Sequence, residues 1–135
     1  MPEPQQQSLA VLVAWLDALR RSDLDAVREL LDPDVVWRGI PVDAICHNRD
    51  DVLDMLAGQL HEGLPRVSAL ELIAGDGTAV LGVRSDELRQ IGDVPLAGQV
   101  FNVFQVRDGG IVAIQDYRDR DTALNAAAAG KPNWT

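Results

Sequence analysis

A chain of 135 residues, 47% of them apolar, is long enough for one domain that buries about two-thirds of the surface its unfolded chain exposes, and too short for a second. Its net charge of −9 repels a phosphate backbone, so no nucleic acid and no anionic membrane is expected as a partner, whereas a small apolar molecule fits. The single cysteine, Cys46, excludes an intrachain disulfide, no apolar run is long enough to span a bilayer, and the start lacks the basic and apolar regions of a signal peptide, which predicts a cytoplasmic protein.

Residues 1–7 read as a disordered tail. Ser8 is the expected N-cap of a helix from about Leu9 to Arg21, with Leu9, Leu12, Leu16 and Leu19 on one stripe widened by Trp15. A second helix, Leu24 to Leu31, ends before Pro33. A short strand, Asp34 to Ile40, is followed by a loop through His47. Asn48 then caps a third helix that runs to about Leu60 and buries Val52, Leu53, Leu56 and Leu60, with Met55 as core filler.

From Pro65 onward the pattern is that of strands: Val67 to Ala74, Thr78 to Ile91, Leu96 to Arg107 and Ile111 to Arg118. The Gly75-Asp76-Gly77, Gly92-Asp93-Val94-Pro95 and Asp108-Gly109-Gly110 punctuation joins them as an antiparallel meander. Three helices followed by long strands imply an α+β domain over residues 8–122, with the sheet curled around the helices. Residues 123–135 form a C-terminal tail, and Asp121 to Ala129, ending at Gly130, reads as a short helix whose alanine run has little to bury.

The last strand carries the chemistry. On a period of two, Val112, Ile114 and Asp116 share a face, so a carboxylate continues an apolar row. Buried there, it needs a partner or a proton. Arg84 and Asp86, two residues apart, point to one side of an earlier strand and supply an Asp–Arg–Asp cluster in which one acid keeps its proton near neutrality. That leaves a base and an acid facing one cavity. Cys46 and His47 are neighbours on a strand and face opposite ways, so they form no dyad. His47 and His61 are expected at the surface, and two histidines argue against a metal site.

The order of elements, with Val103-Phe104-Gln105-Val106, Gly110-Ile111-Val112 and Asp116-Tyr117-Arg118-Asp119, resembles the nuclear transport factor 2-like (NTF2-like) superfamily and its SnoaL-like branch over residues 8–122. The resemblance implies a cone, a curved and mostly antiparallel sheet wrapped around three N-terminal helices, and a homodimer through the outer face of that sheet. Within the superfamily, Arg84-Ser85-Asp86 and Asp116-Tyr117 are similar to the acid–arginine–acid motifs of the limonene-1,2-epoxide hydrolase family. That likeness implies one-step opening of a small apolar epoxide by water, with Asp86 as acid, Asp116 as base, Arg84 as bridge, and neither cofactor nor metal.

The tyrosine and asparagine that orient water in that family are replaced here by Trp37 and Gly39. Asn102 is a candidate to help hold the water. The expected substrate pocket consists of Trp37, Met55, Leu56, Leu72, Phe101, Asn102 and Phe104. The same superfamily also implies two other functions, a SnoaL-like polyketide cyclase or isomerase with an aspartate base, or a non-catalytic small-molecule-binding dimer.

Overall fold

Helix α1 (Pro4–Arg20) buries Val11, Leu12, Trp15 and Ala18 along one stripe. In the computed structural model, which describes residues 4–41, 43–91 and 93–129, the helix starts before the expected cap, so residues 4–7 of the expected tail belong to it. Ser8 is therefore buried inside the helix and is not its cap. Residues 1–3 and 130–135 lie outside the described residues, and with them the rest of both expected tails and Gly130.

Helix α2 (Leu24–Leu30) is capped by Asp23, whose carboxylate accepts from the Ala26 amide at 3.1 Å. Strand β1 (Leu31–Arg38) follows without a loop. It contains Pro33, exposed in the stretch where the pairing with a neighbouring strand is irregular, so the missing amide breaks no regular ladder. After β2 (Ile45–Cys46), Asn48 caps α3 (Arg49–Glu62) by accepting from the Asp51 amide at 2.9 Å. The Asp51 carboxylate reaches back to the His47 amide at 3.0 Å, one residue beyond the cap.

The remaining strands are β3 (Ala69–Ala74), β4 (Thr78–Arg84), a small separate ribbon of β5 (Gln90–Ile91) and β6 (Val94–Pro95), β7 (Gln99–Arg107) and β8 (Gly110–Tyr117). The main sheet has the order β2-β1-β8-β7-β4-β3, with β1 and β8 parallel and its other pairs antiparallel. Asp108 (φ 53°) and Gly109 (φ 78°) close the β7–β8 hairpin between the paired Arg107 and Gly110, the positive-φ turn that Asp-Gly predicts. The expected long strand from Thr78 to Ile91 breaks after Arg84.

The inner face of the sheet and the three helices share one core. Trp15 lies at its centre, 5.4 Å edge-on from the Phe104 ring and 5.8 Å from the Trp37 ring. A register shift after Gln105 lets both Ile111 and Ile114 reach that core, so Val112 is not in the inner row that strict alternation assigns it.

Helix α4 (Arg120–Ala129) covers part of the outer face. Its alanines do bury something: Ala123 sits against Val80, Phe101 and Val103, with Leu124 and Ala127 alongside. Beside it, a Cβ on Gly82 would come within 2.7 Å of the Phe101 ring, which is only 2% exposed and has nowhere to move. Gly82→Val is expected to destabilise the fold by about 1–3 kcal/mol, read from the midpoint of urea unfolding. An unchanged midpoint would mean that this face is loosely packed. Among the described residues no helix is long and apolar enough to cross a membrane.

Candidate functional site

The β7–β8 register sets Asn102 opposite Asp116, and the β1–β8 register sets Trp37 opposite Ile114, so the three polar side chains meet on the inner face. Trp37 Nε1 donates to Asp116 Oδ1 at 2.9 Å, and Asn102 Nδ2 donates to the same oxygen at 2.5 Å. Oδ2 accepts from no described residue. It is not a sealed atom either, since Arg49 Nε is the buried side-chain atom left without a partner among the described residues. One oxygen is thus held while the other is open.

Burial pushes the Asp116 carboxyl up to about 6, against the two hydrogen bonds, which favour the charged form. The perturbation expected from the sequence is present, but its cause is desolvation and not a second acid.

The expected acid–arginine–acid cluster does not assemble. The Ser85 hydroxyl accepts from the Glu87 amide at 3.1 Å and the Ser85 carbonyl accepts from the Leu88 amide at 3.1 Å, which turns the chain immediately after Arg84. Asp86 consequently sits exposed in a turn, with no strand to align it with Arg84. Arg84 alternates with Val80 and Gly82 on the outer face and stands near Glu71, which pairs with Arg120 at 2.8 Å. Asp116 faces the opposite side of the sheet. Asp86→Asn is expected to leave stability within about 0.5 kcal/mol and any Asp116-dependent turnover unchanged; a hundredfold loss of turnover would restore Asp86 to the site.

The expected pocket residues divide in the same way. Trp37 and Asn102 hold Asp116 directly. Met55 is half-buried, Leu56 and Phe104 are buried in the inner core, and Leu72 is 37% exposed on the edge strand β3. Phe101 does not line the inner site, because its strand position turns it outward against α4. Clefts of about 230, 300 and 200 Å³ lie at the β3–β4 hairpin end and on the outer face, and none of these three is lined by Asp116, so the expected cavity is not one of them.

Gly39 marks a close approach of the chain. Its amide donates to the Ala44 carbonyl at 2.7 Å and a Cβ would fall 2.9 Å from that of Ala44, so an asparagine cannot take the family's position here without moving the loop. Cys46 is partly buried and free, with Sγ 3.8 Å from Met55 Sδ. Burial, then the charges of Asp51 and Asp116, push its thiol up. His47 and His61 are exposed, and no metal-holding group of His, Cys, Asp or Glu occurs among the described residues.

A model of the SnoaL-like domain family matches residues 12–114. No protein of curated function matches the sequence. Solved structures share the fold at low identity. A Kribbella flavida protein, provisionally named a ketosteroid isomerase, superposes with a TM-score of 0.64 at 19% identity, over 84% of this chain and 78% of that one. A Mycobacterium tuberculosis LEH-like epoxide hydrolase gives 0.62 at 19%, over 95% and 89%. An NTF2-like protein of Burkholderia xenovorans gives 0.61 at 13%, over 91% and 97%. With a four-helix, curved mixed-sheet architecture and a family match over most of its length, the chain belongs to the SnoaL-like domain family and has the NTF2-like fold.

Proposed function

We propose that the protein is an enzyme that uses Asp116 as a general base on a small, largely apolar carbonyl compound, in the manner of a SnoaL-like cyclase or isomerase. The observation that carries this reading is the inner-face carboxylate with Oδ1 fixed by Trp37 and Asn102, Oδ2 open, and a carboxyl near 6. A base of that strength is about 100-fold more proton-attracting than an ordinary aspartate and is still mostly ionised at pH 7. In the proposed reaction Oδ2 takes a proton from the carbon next to the carbonyl, holds it, and returns it to another position or releases the carbanion to close a ring. The indole and amide donors keep Oδ1 in place throughout.

Epoxide hydrolysis is the second reading, favoured by the likeness to an LEH-like epoxide hydrolase. It needs a proton donor on the far side of the substrate from the base, and Arg84 and Asp86 are not there. We also propose a cytoplasmic homodimer through the outer face left free by α4, where Val36, Val112, Ala113 and Gln115 line a cleft. Sedimentation should give twice the chain mass, and a monomer at micromolar concentration would remove the dimer.

The deciding experiment is a paired screen of the purified protein in D2O. One arm follows deuterium entry into small cyclic ketones by NMR, and the other follows diol formation from small epoxides. Asp116-dependent exchange is the expected result. Diol formation without exchange would reverse the order of the two readings.

A further inference from the structure

Cys46 stands on the same wall as Asp116 and has no part in the chemistry above. It pairs with Trp37 across β1 and β2, so the two side chains project together from one face of the sheet, and both pack against the inner core. Trp37 in turn holds Asp116. The thiol contacts Met55 Sδ at 3.8 Å, a weak acceptor, and no described oxygen or nitrogen takes its proton. The charged groups that face it are Asp51 from α3 and Asp116 from β8, both negative, and with burial they hold it protonated. A neutral S–H and an open carboxylate oxygen thus share one side of the sheet, a donor and an acceptor that the protein leaves unmatched.

We propose, resting on the base role of Asp116, that the Cys46 thiol donates to the carbonyl oxygen of the substrate while Asp116 Oδ2 removes the neighbouring proton. The substrate class is then a ketone with an acidic hydrogen on the adjacent carbon. In the step, the C–H bond breaks and its proton passes to Oδ2. Its electron pair forms a C=C bond, and the carbonyl π pair moves onto oxygen, where the S–H hydrogen bond meets it. Reprotonation of carbon by Asp116 reverses these movements. Once Asp116 is neutral, one of the two negative charges facing the thiol has gone. The S–H therefore becomes a stronger donor as the oxyanion develops.

The test has two arms on the full-length protein. In the first, the rate of Cys46 alkylation by iodoacetamide is followed against pH in the wild type and in Asp116→Asn, and the thiolate inflection is expected at lower pH in the variant. In the second, deuterium exchange into cyclohexanone and cyclohex-3-en-1-one is compared across variants. Cys46→Ala should lose about 100-fold in kcat with little change in KM, and Cys46→Ser should recover part of it. If exchange depends on Asp116 yet is unchanged in Cys46→Ala, the thiol role falls while the base role stands. No exchange in the wild type overturns both, and an alkylation profile identical in the two proteins places the thiol outside the field of Asp116 and overturns the proposal directly.

Discussion

Asp116→Asn is expected to raise stability at pH 7–8 by up to about 3 kcal/mol and to abolish proton transfer from carbon. The carboxyl titrates near 3.8 when unfolded and near 6 when folded, so between those values the folded chain binds more protons than the unfolded one. Stability is then greatest below pH 3.8 and falls as pH rises through 6. A difference of about two units corresponds to about 3 kcal/mol, the cost of keeping an ionised carboxylate where water is scarce. Asparagine cannot ionise, while its Oδ1 can still accept from Trp37 and Asn102, so the variant keeps the hydrogen bonds and loses the penalty.

Urea unfolding at pH 4, 5, 6, 7 and 8 should show a declining wild-type profile across pH 4–6 and a flatter one for the variant. Parallel profiles would mean that the carboxyl is hydrated in the folded state. Turnover should drop by at least about 100-fold, since no other inner-face group described here has the charge to replace the base. A gain in stability that accompanies a loss of activity would itself mark a site, because a purely structural aspartate offers no reason to retain a destabilising charge.

Trp15→Ala is expected to cost about 3–5 kcal/mol, a large share of the 5–15 kcal/mol typical of a whole domain. Trp15 is 2% exposed and lies against both Phe104 and Trp37, so its removal opens a cavity between helix and sheet that neither ring can fill without leaving its strand position. Trp37 would lose the ring that backs it, and with it the fixed direction of its indole N–H toward Asp116. Trp15→Phe should cost less. Chemical unfolding of the two variants gives the comparison, and a loss below 1 kcal/mol for Trp15→Ala would show that the core collapses around the gap. The stability cost should be matched by a shift of the Asp116 titration, followed by carboxyl NMR in Trp15→Phe, because a looser indole weakens a hydrogen bond that favours the carboxylate.

Local chemistry was legible in the sequence wherever neighbours along the chain decide it. Asn48 before an acidic first turn gave a capped helix, Asp108-Gly109 gave the positive-φ hairpin, and helical spacing of Leu12 and Trp15 gave the buried stripe of α1. An acid in an apolar row was enough to single out Asp116. Its partners were not readable in this way. Continued without interruption, the pairing of Arg107 with Gly110 would set Asn102 opposite Gln115, and only the register shift after Gln105 brings it to Asp116.

Arg84-Ser85-Asp86 failed for a related reason. Two residues apart means one side only while the strand lasts, and the buried Ser85 hydroxyl ends it by bonding the Glu87 amide. Which face Arg84 takes then follows from the packing of Val80 and Phe101 under α4, a helix whose alanines looked as if they had nothing to cover. Sequence by itself determined the elements, the turns and the one carboxylate out of place, since these depend on interactions within a few residues. Tertiary structure decided which oxygen of that carboxylate is held and which is open, because register, bulges and the two faces of a sheet are set by contacts between strands far apart in the chain.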